Sequence, residues 1–303
     1  SLERAWAALS PEGLPARLVV GRWAAPWVRE GLVWGPDVEL PGLLLEVDLI
    51  DAGPVWERLR LNPAAAYLSA GLPRLEDEVW LVGGELEGRW RLGTSHLSGS
   101  LGYMGVNGAR RLGRALARGD ARVGLRPAGF TANTTDSDAA VDPESELTRR
   151  LVINGLASRF QVLSLWLSWE APLWEALPLR LSAQGAWNLG ARGAGAGEGL
   201  AGVLAARVGE GARAGEGALT LRGVWIEADA VLDLFNRELY GTNLKGVGLE
   251  GALVVVEGWS LGFEGLLSWR ARARLRGLGS GRLEPGGAQG AAWQLHVVTG
   301  YVF

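Results

Sequence analysis

The sequence predicts an all-β fold: a transmembrane antiparallel up-and-down β-barrel of about 14 strands, with 12 as the alternative, forming one domain over residues 1–303. Three observations predict it. Segments along most of the chain alternate between an apolar and a polar face with a period of two, the signature of a strand oily on one side and wet on the other. The links between these segments alternate between short and long, as the periplasmic turns and outer loops of such barrels do. The last eleven residues, from Trp293 to Phe303, form an apolar strand that ends in an aromatic residue.

Taken in chain order, the first segment is Leu2–Ser10. In 42–49, Leu43, Leu45, Val47 and Leu49 oppose Glu46 and Asp48, and Leu44 interrupts the wet face. In 94–105, Leu97, Gly99, Leu101 and Tyr103 oppose Thr94, His96, Ser98 and Ser100. In 161–171, Leu163, Leu165, Leu167 and Trp169 oppose Ser164, Ser168 and Glu170, and in 178–190 Leu179, Leu181, Ala183, Gly185, Trp187 and Leu189 oppose Arg180, Ser182, Gln184 and Asn188. Segment 216–228 slips phase near Val224–Trp225–Ile226, which predicts a bulge. In 246–255, Val247, Leu249, Gly251, Leu253 and Val255 oppose Gly246, Gly248 and Glu250.

Segment 259–276 carries the clearest signal. Trp259, Leu261, Phe263, Leu267 and Trp269 share one face; Ser260, Glu264, Ser268, Arg270, Arg272, Arg274 and Arg276 share the other, with Leu266 the exception. Its two tryptophans are ten residues apart. On a strand tilted by about 40° that places them roughly 25 Å apart along the membrane normal, the height of an outer-membrane apolar band.

Short links are expected at 11–15, 51–54, 88–92, 172–177, 209–215 and 257–258, and longer ones at 23–40, 70–77, 106–158, 190–198, 229–244 and 276–289. The longest, 106–158, is expected to fold into the pore as a constriction or to cap it, with a short helix near 109–118. Thirteen segments are counted, whereas bacterial single-chain barrels have even strand numbers. The expectation is therefore an amino-terminally trimmed piece of a fourteen-stranded barrel, or a twelve-stranded barrel whose first segment lies outside the wall.

Composition narrows the chemistry. The chain has no cysteine, so disulfides and thiolate metal sites are excluded, and only two histidines, His96 and His296. Net charge is −3, without the basic footprint of a nucleic-acid partner. No apolar run is long enough for a transmembrane helix. The amino end lacks the basic-then-apolar order of a signal peptide, so an exported form is expected to start after processing or inside a longer precursor.

Fifteen tryptophans invite a membrane reading, because indole favours the headgroup level. Trp90, Trp169, Trp187, Trp259, Trp269, Trp293, Tyr301 and Phe303 are the candidate girdle residues, with Trp23, Trp174 and Trp225 also at strand ends. The candidate pore lining is Glu46, Asp48, Glu85, Glu87, Arg89, Arg180, Arg222, Glu250, Glu264, Arg270, Arg272, Arg274 and Arg276. The arginine ladder 270–276 either attracts anionic solutes at the outer mouth or pairs with Glu250, Glu85 and Glu87. Both signs line the lumen, so charge selectivity stays open.

His96-Leu-Ser98 resembles part of the outer-membrane phospholipase motif, but the alternation turns His96 inward, and Gly99-Ser100 follows where that motif continues Asn-Gly-Arg. An oriented base and an oxyanion site are missing from the surrounding sequence. No enzyme activity, metal or cofactor is expected. The glycine-rich pieces 193–199 and 277–287 lack the lysine of a phosphate loop.

The carboxyl-terminal strand resembles the signature by which the outer-membrane assembly machinery recognises barrels. The run 178–191, then 226–246 with Glu227-Ala-Asp-Ala-Val231, Phe235, Gly241-Thr-Asn243 and Lys245-Gly246, resembles the carboxyl half of a family of bacterial outer-membrane β-barrel porins. Arg17-Leu-Val-Val-Gly21-Arg22, followed by Trp34, Asp37 and Gly42, resembles that family's amino portion. The family's Asp-Ser-Asp-Phe element is here Asp233-Leu234-Phe235-Asn236, a departure. The resemblance implies residence in the bacterial outer membrane, contact with its lipids and assembly machinery, and a passive channel for small hydrophilic solutes. Such proteins often form homotrimers, although the outward faces single out no interface. The rival expectation is a plugged barrel that tethers the envelope, and a lipase-like enzyme ranks third.

Overall fold

The computed structural model describes residues 6–35, 38–51, 53, 55–67, 79–109, 135–141, 149–156, 158–174, 177–191, 199–211, 213–232, 235, 240, 242–271 and 292–301. Thirteen strands form one antiparallel up-and-down sheet: β1 (Trp6–Leu9), β2 (Ala16–Ala24), β3 (Glu39–Asp51), β4 (Trp56–Tyr67), β5 (Trp80–Leu92), β6 (Ser95–Asn107), β9 (Phe160–Trp174), β10 (Leu177–Asn188), β11 (Leu200–Val208), β12 (Gly217–Ile226), β13 (Leu244–Val256), β14 (Trp259–Arg270) and β15 (Ala292–Tyr301). Each strand pairs with its neighbours in chain order, except that β6 pairs with β9. Between those two, β7 (Thr135–Val141) and β8 (Arg149–Leu156) form a separate hairpin. The edge strands β1 and β15 run in the same direction.

The alternation of link lengths holds throughout. Turns of two to eight residues join β1–β2, β3–β4, β5–β6, β9–β10, β11–β12 and β13–β14 at one end of the sheet; the longer segments all lie at the other end. Several points differ from the sequence reading: residues 172–174, expected in a short link, belong to β9, and the strand expected over 259–276 ends at Arg270. Residues 88–92 belong to β5, and the turn is Gly93-Thr94, where Gly93 takes φ 66°. The first segment is a paired strand, so the version that leaves it outside the wall does not form. Strand β12 keeps an unbroken register with both neighbours, without the bulge expected at Val224–Ile226.

That last correction has a packing cause. Val224 and Ile226 both point to the inner face and are buried, while Trp225 between them is exposed on the outer face. Leu44 and Leu266, the two residues that interrupt the wet face of their segments, are likewise inward and buried. At the long-loop end the inner face is apolar because chain segments pack against it.

The outer face follows the alternation closely. Leu43, Leu45, Leu101, Leu165, Leu167, Leu204, Leu249 and Phe263 are among the many large apolar side chains exposed there. Two aromatic rows bound this band. Trp56, Trp90, Trp169, Trp174 and Trp259 lie toward the short-turn end; Trp80, Trp187, Trp225, Trp269 and Trp293 lie toward the other. Glycines on this face are roofed by neighbouring rings: a Cβ on Gly88 would meet Trp90, and one on Gly251 would meet Phe263. Of the remaining girdle candidates, Tyr301 ends β15 and Phe303 lies outside the described residues. Trp23 is a correction: it points inward, 3 % exposed, against Trp27.

Candidate functional site: the charged inner face and its inserted segments

Two of the long segments turn into the space that the sheet curves around. Residues 25–35, after β2, bring Trp27, Leu32, Val33 and Trp34 into a buried cluster with Leu40, Leu81, Met104, Phe160, Val203 and Ile226. Residues 227–240, after β12, add Ala230, Val231, Leu232, Phe235 and Tyr240 to the same cluster. The segments lock together: Trp34 and Phe235 stack with ring centroids 5.3 Å apart, and the Gly35 amide donates to the Phe235 carbonyl at 2.5 Å. Asp229 is fully buried, accepting a hydrogen bond from Ser158 Oγ at 2.5 Å, while Asn188 Nδ2 donates to its carbonyl at 2.7 Å. The Leu200 amide donates to Glu227 Oε2 at 2.9 Å. Polar groups buried this deeply need such partners.

Halfway along the strands the inserted segment meets charge. Arg29 Nη2 lies 2.7 Å from Glu85 Oε1 and 3.0 Å from Glu87 Oε2 on β5, and its guanidinium sits over the Trp166 ring of β9, 4.8 Å from the centroid. Burial opposes the charge on Arg29, but Glu85 and Glu87 outweigh it and hold the guanidinium above its ordinary value. Glu30 goes the other way. Ser182 Oγ donates to its Oε1 at 2.6 Å, Gln184 Oε1 accepts from the Glu30 and Leu32 amides, both at 3.3 Å, and Arg222 Nε is 3.8 Å from its Oε2. Arg222 also pairs with Glu250 and, at 3.8 Å, with Glu264. Between Arg29, Trp27, Trp34 and Gln184 the space left is about 10 Å³, room for at most one water.

Nearer the short turns the inner face becomes a row of ion pairs. Arg17 and Arg60 share Glu46, Arg58 and Arg60 share Asp48, and Arg89 and Arg91 share Glu57, at 2.6–3.4 Å. His96 Nδ1 is 3.1 Å from Glu57 Oε2. On the neighbouring wall Arg180 binds Glu170 at 2.7 Å. A cavity of about 640 Å³ opens beside His96 and Glu170 toward the 209–216 turn.

All the described candidates for the lining thus lie on one inner face. Glu46, Asp48, Arg89 and Arg180 sit in the lower layer; Glu85, Glu87, Arg222, Glu250 and Glu264 sit in the middle one. Arg270 ends β14 at an inward register position, and Arg272, Arg274 and Arg276 lie outside the described residues. Glu85 and Glu87 are held by Arg29 and Glu250 by Arg222, while the pairing expected of the ladder falls on side chains outside the described residues. Of segment 106–158, expected as the constriction, only 106–109, 135–141, 149–156 and 158 are described, and the helix near 109–118 falls beyond Ala109, outside them. The described residues seen inside are 25–35, 227–232, Phe235 and Tyr240.

Sequence reasoning missed Glu57, the extra residue of a bulge where Trp56 pairs Trp90 and Arg58 pairs Arg89. It also missed Trp166, whose inward phase was legible in 161–171, and the whole Arg29–Glu30 anchor. No protein-family model matches the chain, and no curated protein matches it.

Proposed function

We propose that this chain is the β-barrel of an outer-membrane porin, a passive channel for small hydrophilic solutes narrowed by residues 25–35 and 227–240. The observation that carries the reading is the pairing of faces. An apolar outer band between two aromatic rows suits a bilayer, and an exposed patch of that size on a soluble monomer would be exceptional. A charged inner face suits water. The middle layer adds support: Glu250 and Glu264 point inward midway along β13 and β14, yet keep 29 % and 18 % of their side chains exposed.

Closure of the sheet belongs to this proposal, since lipid tolerates no open strand edge. With β1 and β15 running alike, closure would take a parallel seam between them or one further strand. Residence in the outer membrane, recognition of β15 by the assembly machinery, and the likeness of 178–191 and 226–246 to porins belong to the same proposal.

A second reading, a plugged structural barrel, is favoured by one observation, the tight apolar cluster at the long-loop end. Planar bilayers separate the two. The porin gives stepwise conductance, enlarged when 26–34 are replaced by a glycine-serine linker. A barrel that inserts yet shows no steps in either form is the structural one.

A further inference from the structure

We propose that the inner face at the short-turn end is a binding site for small organic anions, solutes bearing several carboxylate or phosphate groups. The proposal rests on the porin reading in one respect, that this face is the wet entrance of the lumen. Five guanidinium groups, Arg17, Arg58, Arg60, Arg89 and Arg91, form ion pairs there with three carboxylates, Glu46, Asp48 and Glu57, while Glu87 stands opposite Arg60 and Asp51 opposite Arg58 in the register. Each carboxylate is shared by two arginines; Arg60 commits all three of its nitrogens to Asp48 and Glu46, whereas Arg17, Arg58 and Arg89 each make a single ion pair and keep further donors to offer.

Exposure favours the cations. The side chains of Glu46, Glu57 and Asp48 are 13 %, 17 % and 29 % exposed, whereas those of Arg89 and Arg91 are 47 % and 60 %. Arg60, at 23 %, is the exception and lies among the carboxylates it binds. Register points the same way: Arg58 and Arg89 are directly opposite each other on β4 and β5. Like charges so placed disfavour strand pairing, a cost that Asp48 on Arg58 and Glu57 on Arg89 offset. The turns beneath, 52–55 and 93–94, hold no acidic residue, although Asp51 ends β3 beside the first of them. Among the other turns, Glu12 precedes β2, the strand of Arg17, and Glu175, Glu210, Glu216 and Glu257 belong to the links between β9 and β14. Planar guanidinium forks spaced along a wall are suited to two-point recognition of carboxylate and phosphate. The sign of the lumen, ambiguous when charges are only counted along the chain, is set locally by which side chains reach the water.

The layer above limits what the site does. There Glu85 and Glu87 hold Arg29, and Glu30, Glu250 and Glu264 lie around Arg222. An anion collected at the short-turn end next meets a layer in which each arginine is already engaged by carboxylates.

Calorimetric titration of the folded, detergent-solubilised protein with tripolyphosphate tests this without requiring conduction. One class of site is expected, weakened about tenfold by Arg58→Gln or Arg89→Gln and retained in Arg89→Lys. Glu57→Gln discriminates charge from structure: removing the competing carboxylate should tighten binding, whereas a merely structural role predicts no gain. Should Arg58→Gln fold poorly, Arg91→Gln, at the most exposed position, carries the same expectation. Binding that is absent, or unchanged in Arg58→Gln, Arg89→Gln and Arg91→Gln, overturns the proposal. Reversal potentials in bilayers under a salt gradient separate it from the porin reading. Channels that conduct without binding tripolyphosphate retain the porin and discard the anion site; binding without channels retains the site and discards the porin.

Discussion

Arg29 and Glu30 are consecutive in the chain and fasten to different strands of the sheet. The guanidinium reaches β5, where Glu85 Oε1 is 2.7 Å away, while the carboxylate takes the Ser182 hydroxyl of β10 at 2.6 Å. Two neighbouring side chains of opposite sign therefore tie segment 25–35 to the inner face of β5 and β10. Glu85→Ala should leave Arg29 leaning on Glu87 alone. The expected loss is about 1–3 kcal/mol, the usual penalty for removing one partner of a buried charged hydrogen bond. Chemical unfolding in detergent measures it, and a penalty near zero would mean that the pair does not anchor the segment. The Arg29→Ala, Glu85→Ala double variant should lose less than the sum of the two, because both remove one interaction.

Trp34 and Phe235 close the long-loop end by stacking, and each is 5 % exposed or less. Phe235→Ala should destabilise the protein by about 3–5 kcal/mol, the range for truncating a buried aromatic. The same change opens the apolar cluster between the two inserted segments. If the chain is a porin, its unitary conductance should rise in Phe235→Ala, and an unchanged step size would place the narrowing elsewhere.

Much of the wall was legible in the sequence, and the interior was not. Outer positions such as Leu165, Leu167 and Trp169 obey a local rule, one face apolar at every second residue, which needs no knowledge of partners. Inner positions obey whatever packs on them. Leu44, Leu266, Val224 and Ile226 look like faults in a wet face until 25–35 and 227–240 are in place to cover them. Arg29 finds Glu85 at a separation of 56 residues, beyond any periodicity. Glu57 escaped for another reason: a bulge adds one residue and turns its side chain inward, so strict alternation assigns it the wrong face. Trp23 has the composition of a girdle residue and the phase of a core one, and phase decided.

The tryptophans divide by face, which gives a test of the membrane proposal independent of conduction. Trp225, Trp259 and Trp293 are 44 %, 39 % and 76 % exposed on the outer face, whereas Trp23, Trp27 and Trp34 are 3–5 % exposed and inward. In vesicles of lipids brominated near the headgroup, single-tryptophan variants retaining an outer residue should be strongly quenched. Variants retaining Trp23 or Trp27 should keep nearly full emission. Equal quenching of both sets would show that the apolar face is not the one in lipid.

Two turn glycines with the same backbone conformation should respond differently to one methyl group. Gly13 has φ 78° and Gly209 has φ 85°, a region that favours glycine, so alanine strains both by about 1–2 kcal/mol. Around Gly13 an added Cβ meets nothing within 4 Å; at Gly209 it would lie 2.1 Å from the backbone carbonyl oxygen of Gly217. That oxygen belongs to the first residue of β12 and cannot rotate away like a side chain. The Gly209 amide also donates to the Pro178 carbonyl at 2.9 Å, tying the β11–β12 turn to β10. Gly13→Ala should therefore lower the urea midpoint only by its backbone strain. Gly209→Ala should lower it well beyond that, by displacing the start of β12 and loosening the turn from β10. Equal midpoints for the two variants would mean that the turn yields freely, and that the close approach at Gly217 does not fix it.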